Sequence, residues 1–233
     1  MKFSSPLITG TLIKRYKRFL ADITLDNGEE ITAHCANPGA MTGLAAPGSK
    51  VWLSQSTNPK RKLKYSWELV EAVGTLVGIN TAHPNKIVFE AINNKAIAEL
   101  TGYDSLKTEQ RYGKNSRIDI LLEDAAKPPC YVEIKNVHLM RTPGLAEFPD
   151  SVTARGAKHL DELAEMVKQG NRAVMVYLIQ RADAKSFSLA KDVDPHYAAR
   201  FAAARTAGVE AIAYACTLSE TQIKLTEKIE LLN

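Results

Sequence analysis

The sequence predicts an α/β protein (α+β overall) in two units, an OB-like β-barrel over residues 1–82 and a mixed β-sheet flanked by helices over 83–233. Three observations carry this expectation. Short alternating runs punctuated by turn residues fill the first eighty positions. The texture changes around Thr81 to Asn85, where helical spacing begins. Beyond that point helical and strand-like runs take turns, the pattern of a sheet with helices on both faces. At 233 residues the chain is large for one core and small for three, so two are expected.

In the first unit, Phe19 to Leu25 alternates, Asp26-Asn27-Gly28 tolerates positive φ, and Glu30 to Ala33 brings the chain back, which is a hairpin pattern. Asn37-Pro38-Gly39 and Ala46-Pro47-Gly48 mark further turns, and Val51 to Ser54 is another strand. A five-stranded barrel accommodates this count. Pro84 then breaks the chain, and Asn85 is placed to cap a helix with the apolar face Ile87, Phe89, Ala91, Ile92, Ala96, Ile97 and Leu100, closed by Gly102. Strands are expected at 105–112, 117–122 and 131–137, the last two joined by a loop over 124–129. Asp150 or Ser151 should cap a second helix that carries Leu160, Leu163, Ala164 and Val167 on one face and ends at Gly170. Residues 172–179 are almost continuously apolar, as in a strand covered on both sides. Asp194-Pro195 opens a third, Ala-rich helix that stops at Gly208, and 209–215 is the last strand.

Composition narrows the function classes. With 45% hydrophobic and 24% charged residues the chain is ordinary for a globular protein. No apolar run approaches the roughly 20 residues of a membrane span. The opening MKFSSPLITG has no apolar h-region, so a cytoplasmic location without membrane attachment is expected. Cys35, Cys130 and Cys216 form no Cys-x-x-Cys pair, which points to reduced thiols rather than a disulfide framework or zinc cluster. His34, His83, His138 and His196 show no metal-ligand spacing.

The net charge is only +4, but its distribution is uneven: residues 1–82 hold 10 Lys+Arg against 6 Asp+Glu, and the remainder holds 20 against 20. That asymmetry directs a polyanion to the first unit. There Lys14-Arg15-Tyr16-Lys17-Arg18-Phe19 and Lys60-Arg61-Lys62-Leu63-Lys64-Tyr65 interleave cations with aromatic rings, a mixture suited to phosphate contact and base stacking. Asn37-Pro38-Gly39, with Thr42 and Gly43, suits either a backbone anion site or a plain turn.

The sharpest chemical feature is the pair of runs Arg117-Ile118-Asp119-Ile120-Leu121-Leu122 and Tyr131-Val132-Glu133-Ile134-Lys135. Alternate residues of a strand share a face, so Glu133 and Lys135 point together, and Asp119 meets Glu133 if the two strands pair. Two converging carboxylates call for a positive partner, and their oxygens suit Mg²⁺ or Mn²⁺. Lys135 then stands where an ammonium can orient a water or stabilise charge on a phosphate. The same alternation also suits an exposed cross-strand salt-bridge ladder.

Asp119, thirteen intervening residues and Glu133-x-Lys135, after one helix and before another helix and strand, resembles the PD-(D/E)XK nuclease core, with Ile118 where that superfamily has Pro. In addition RYKRFLAD, CANPGAMTGL, SRIDILL, YVEIKNV and FPDSVTARGAKHLDEL, in this order over nearly the full length, resemble the bacterial sugar fermentation stimulation (SfsA) family. The resemblance implies an OB-like domain, a nuclease-like domain, DNA binding without strong sequence preference, and a regulatory link to sugar metabolism, maltose especially. It implies Asp119 and Glu133 as metal ligands and Lys135 as the superfamily's lysine. A further acidic ligand is implied on the first helix of the core, with Glu90 the candidate by position and Glu99 the alternative. Arg155, Lys158 and His159, spaced by three and four on the polar side of the second helix, are candidate phosphate contacts. DNA is therefore the expected partner, Mg²⁺ or Mn²⁺ the expected cofactor, and no small-molecule cofactor is expected. Three functions stand: a metal-dependent deoxyribonuclease, a regulatory DNA-binding protein without nuclease activity, and, more weakly, a sugar- or nucleotide-binding module.

Overall fold

The computed structural model describes residues 1–113 and 116–232. Its first unit is built from β1 (Ile8–Tyr16), β2 (Leu20–Leu25), β3 (Glu30–Cys35), β4 (Lys50–Gln55), β5 (Tyr65–Ala72) and β6 (Thr75–Gly78). The order is β3-β2-β1-β4-β5-β6, and β3 also pairs with β5 in parallel at His34↔Ser66 and Cys35↔Trp67. That last pairing closes five strands into a barrel and removes the free edges an open sheet would expose. The inward residues of each strand fill the barrel: Leu12, Ile23, Leu53, Trp67 and Val70 are fully buried. The expected hairpin forms between β2 and β3, with Gly28 at φ 87° where a side chain would be strained.

The second unit contains α1 (Pro84–Asn93), β7 (Ser105–Tyr112), β8 (Ser116–Asp124), β9 (Lys127–Val137), β10 (Leu139–Thr142), β11 (Leu145–Phe148), α2 (Ala154–Lys168), β12 (Arg172–Ile179), β13 (Ser186–Leu189), α3 (Pro195–Thr206), β14 (Glu210–Leu218) and β15 (Ile223–Leu231). Nine strands make one mixed sheet in the order β10-β11-β13-β15-β14-β12-β9-β8-β7. β12 lies centrally, parallel to both β9 and β14, which explains its near-continuous apolar sequence. α1 packs on one face, over Ile120, Val132, Ile134 and Val176, while α2 and α3 cover Met175, Tyr177 and Ile179 on the other. All three cysteines are buried and free. No helix among the described residues is long and apolar enough to cross a membrane.

Several local expectations are corrected. The first helix ends at Asn93, where two successive asparagines give the backbone little helical preference; Lys95 then turns to φ 56°, and a short 3₁₀ turn holds 98–100. Asn85 does not cap α1. His83 occupies that position without a side-chain bond, and the Asn85 amide is used elsewhere. α2 is capped by Thr153, which accepts from the Gly156 N–H, rather than by Asp150 or Ser151. Asp194 caps α3 through the Tyr197 N–H, with Pro195 behind it, as the sequence suggests. Pro128 and Pro129 lie within β9 and not in a long loop. The short β10, β11 and β13 and the final β15 are additions to the expected order.

The two units share side chains. Trp52 and Leu69 of the barrel pack with Ile87 and Val88 of α1, and Trp52 Nε1 donates to Glu220 at 3.0 Å. The Gly78 N–H donates to the Gln180 carbonyl at 2.8 Å, and the Met41 N–H donates to Asp150 at 3.0 Å.

Candidate active site

β8 and β9 are antiparallel, with Ile120 across from Val132 and Leu122 across from Cys130. Continued by one step, that register sets Asp119 opposite Glu133. The ladder ends there, because the Asp119 side chain takes over: its Oδ2 accepts the Ile134 N–H at 2.7 Å. Its Oδ1 accepts from the Asn85 amide of α1 at 2.8 Å, and the same amide reaches Glu109 Oε1 at 3.4 Å. Glu109 lies on β7 between Thr108, which faces Ile120, and Gln110, which faces Ile118, and its backbone is left-handed at φ 55°. Glu109 is thus the cross-strand neighbour of Asp119.

Glu133 is buried, its side chain only 3% exposed. Its Oε1 accepts from Lys135 Nζ at 2.7 Å and from His159 Nδ1. Its Oε2 is buried with no hydrogen-bond partner. Arg155 Nε donates to His159 Nε2 at 3.3 Å, which leaves Nδ1 to carry the proton toward Glu133. Burial pushes both carboxyls toward the neutral form, but the outcomes differ. For Glu133 the nearby Lys135 charge and the His159 contact outweigh burial and hold it below the ordinary glutamate value. For Asp119 burial prevails and the Glu133 charge adds to it, so its pKa rises to about 6. Burial, followed by the charges of Glu133, Glu162 and Asp119, likewise pushes the Tyr112 hydroxyl up.

Asp119, Glu133 and Lys135 come together as the sequence suggests, joined by His159. Here one expectation changes: His159 is buried at 4% exposure and turned onto Glu133, so it serves inside the site instead of reaching a phosphate at the surface. Arg155 and Lys158 are exposed beside it, with Lys158 3.6 Å from Glu162. Glu90 does not join the site. Five residues beyond Asn85, it lies about 140° around α1, and it pairs with the Met1 amino group at 2.8 Å. Glu99 does not join either: it pairs with Lys228 at 2.6 Å and accepts from the Tyr214 hydroxyl at 2.7 Å. Among the described residues no group of three or more His, Cys, Asp or Glu is disposed to hold a metal.

The site also contains residues that sequence patterns passed over. Asn85 looked like a cap, Glu109 and Tyr112 like ordinary strand residues. Glu162 carries a clearer signal, since it follows His159 by three on α2; both its carboxylate oxygens are buried without a hydrogen-bond partner. The donor set fits a hard divalent cation: two adjacent carboxylates, one with an orphaned buried oxygen and one whose ionisation its neighbour opposes. Mg²⁺ commonly binds through one or two carboxylates and keeps several waters.

The barrel cations lie further out. Lys17 and Arg18 form the tip of the β1–β2 hairpin, both left-handed at φ 49° and 63°. Lys14 lies over the Tyr16 ring at 5.4 Å and pairs with Asp22 at 3.5 Å. Arg15 is held by the carbonyls of Arg18, Asn37, Gly39 and Ala40. Asn37-Pro38-Gly39 therefore presents carbonyls to the Arg15 cation, its Gly39 N–H is taken by Asn37 Oδ1, and the Met41 N–H that follows donates to the Asp150 carboxylate. Lys60, Lys62 and Lys64 are exposed on the β4–β5 loop, and Arg61 donates to Ser66 at 2.7 Å.

Comparison with known proteins agrees with this architecture. Residues 82–222 match the family model described as the sugar fermentation stimulation protein RE domain, and residues 13–79 match the SfsA N-terminal OB domain. A sugar fermentation stimulation protein homolog of Maricaulis maris is 58% identical over 223 residues, covering 96% of this chain and 95% of that one. The homolog of Azorhizobium caulinodans is 57% identical over 236 residues, covering all of both chains. Among solved structures, that of Pyrococcus furiosus SfsA in complex with Ca²⁺ superposes with a TM-score of 0.90 at 27% identity, covering 100% of this chain and 98% of the other.

Proposed function

Because this chain belongs to the sugar fermentation stimulation protein (SfsA) family, we propose that it binds DNA largely without regard to sequence and hydrolyses phosphodiester bonds with Mg²⁺ or Mn²⁺. The observation that carries the proposal is the Glu133 carboxylate, 3% exposed, with one oxygen on Lys135 and His159 and the other buried and orphaned, on the strand next to that of Asp119. A solvated salt-bridge ladder has no use for a buried, unpaired oxygen, which carries a desolvation penalty of about 1–3 kcal/mol. The Ca²⁺ of the Pyrococcus relative supports a hard cation, since Ca²⁺ and Mg²⁺ both take oxygen ligands.

Asp119 and Glu133 would hold the ion. When bound, a divalent cation polarises phosphoryl oxygens and neutralises developing charge. The rest is work for side chains. Lys135, 14% exposed, keeps an ammonium at the edge of the carboxylate pair, where it stabilises charge appearing on the phosphate. His159 and Arg155 fix the direction of Glu133 through a two-bond relay. Asn85 and the Ile134 N–H do the same for Asp119. Arg155 and Lys158 offer phosphate contacts near the site, and Lys14, Lys17, Arg18, Lys60, Lys62 and Lys64 extend the cationic surface over the barrel.

One observation favours a second function, regulatory DNA binding without cleavage: Glu90 and Glu99 are engaged elsewhere, so the third acidic ligand expected from the first helix is missing. A single experiment separates the two. Purified protein is incubated with supercoiled plasmid, linear duplex and single-stranded DNA in Mg²⁺ or Mn²⁺, beside Asp119→Ala and Glu133→Ala. Each substitution is expected to lower cleavage by about 10²–10³-fold while binding persists and weakens steeply with salt. No cleavage by the unmodified protein leaves the regulatory function, and cleavage indifferent to both substitutions rules out this site. Absence of binding at low salt removes both functions.

A further inference from the structure

Between the barrel and the second unit lies a cleft of about 710 Å³. That is nucleotide scale, within the roughly 300–1,000 Å³ usual for ligand pockets. One wall is cationic. Arg15 enters it with a guanidinium that gives four of its five N–H groups to carbonyls, among them Asn37 at 2.8 Å and Gly39 at 2.9 Å, so the group is fixed in place and keeps its charge and one N–H. Arg18, on the hairpin tip, lines the same wall and pairs with no acidic side chain among the described residues. The acidic group of the cleft, Asp150, is already occupied: it accepts from His138 at 3.2 Å and from the Met41 N–H at 3.0 Å. With two arginines against this one carboxylate, the charge balance of the cleft is positive.

Part of the lining is apolar. Val152, 75% exposed, stands there with Phe148 and Pro149. A single exposed valine is unremarkable on a surface, but this one lines the same nucleotide-sized cleft as two arginines. Phe19, the residue after Arg18, is 45% exposed and stacked on His34 at 6.5 Å and 21°, which continues a ring surface along the barrel.

We propose that this cleft receives one unpaired nucleotide of the bound DNA, its phosphate bonded by Arg18 and drawn by the fixed charge of Arg15, and its base against Val152 and Phe148. The inference rests on the DNA-binding function above and narrows its substrate to DNA that carries a single-stranded segment. Paired and stacked bases cannot enter such a pocket unless they leave the helix. The cleft is also close to the chemistry. Thr153 lines it at the start of α2, and His159, six residues on, touches Glu133, a distance of about 9 Å along the helix axis. On β9, Asn136 lines it three residues after Glu133, about 10 Å away. About three stacked nucleotides span that distance at roughly 3.4 Å each. A strand lying at Glu133 therefore delivers a neighbouring nucleotide to the cleft.

The test uses the full chain in EDTA, so that nothing is cut, and two DNA probes of matched length: a blunt duplex and a duplex with a single-stranded tail carrying 2-aminopurine at successive positions. Val152→Glu puts a negative charge in the cleft and Val152→Lys a positive one, both at an exposed position where folding is not at stake. The tailed DNA is expected to bind the unmodified protein about tenfold more tightly than the blunt duplex, with 2-aminopurine brightening at one tail position. Val152→Glu should abolish the brightening and about tenfold of affinity for the tailed probe, and Val152→Lys should retain both, with blunt-duplex affinity changed less than about twofold. Equal affinity for the two probes, no position of brightening, or equal weakening of both by Val152→Glu overturns the proposal while leaving DNA binding intact. Failure to bind either probe overturns the DNA-binding function and this inference with it.

Discussion

Replacing Asp119 by Asn should make the metal-free protein more stable, and the gain should grow with pH. The Asp119 carboxyl is raised from 3.8 to about 6 by burial and by the Glu133 charge. An acid whose pKa is raised on folding stabilises the folded state only while protonated, so stability is lost as pH climbs from about 4 to about 6 and stays lost above it. A shift of about two units corresponds to about 3 kcal/mol above pH 7, falling to about 1 kcal/mol at pH 4.5. Asparagine removes the charge but keeps an acceptor for the Ile134 N–H, and the Asn85 amide can rotate to present its oxygen to the new NH₂ group. For a chain of this size 1 kcal/mol moves Tm by about 2–4 °C. Thermal unfolding in EDTA should therefore place Asp119→Asn roughly 6–12 °C above the unmodified protein at pH 7.5 and only a few degrees above it at pH 4.5. Added Mn²⁺ should raise Tm of the unmodified protein at pH 7.5 and not that of the variant. A variant no more stable than its parent at pH 7.5, or a difference independent of pH, would refute the claim that Asp119 and Glu133 are held in electrostatic conflict.

Three further outcomes follow from the structure. His159→Ala removes one of the groups that hold Glu133 ionised against burial, so the carboxyl pKa rises; the acid limb of Mn²⁺ affinity against pH should move to higher pH, and an unmoved limb would mean that His159 only packs there. Gly39→Ala directs a Cβ into the Asp150 carboxylate, which is fixed by His138 and the Met41 N–H, so unfolding should become easier by about 1–3 kcal/mol. In an Asp150→Ala background that added effect should vanish, and persistence of the full cost would show that Gly39 is needed for another reason. Asp150 itself sits at about 2, where burial is outweighed by its bonds to His138 and Met41, so the stability it supplies is present above pH 4 and disappears as pH falls toward 2.

The patterns that local chemistry writes into a chain were legible here. β-alternation around Asp26-Asn27-Gly28, the continuous apolar run of β12, and Asp194-Pro195 at the head of α3 each correspond to an element found in place. So was the common face of Glu133 and Lys135, because side-chain alternation in a strand follows from backbone geometry alone. The cap of α2 was not: Asp150 and Thr153 are both competent caps, and the choice depends on Asp150 being drawn to His138 and to a backbone amide 109 residues away.

By itself, then, the sequence determined two units, the strand and helix periods within them, and a carboxylate–carboxylate–lysine constellation on adjoining strands. Tertiary structure alone decided the closure of the barrel by β3 and β5, the end of the β8–β9 ladder at Asp119, the burial of His159 against Glu133, and the removal of Glu90 and Glu99 to other partners. The physical reason is range. Periodicity and turn preference act among neighbours, whereas the partner of a charged side chain is whichever opposite group the folded backbone brings within bonding distance. Asn85 meets Asp119 across 34 residues and His159 meets Glu133 across 26, and no local pattern records either.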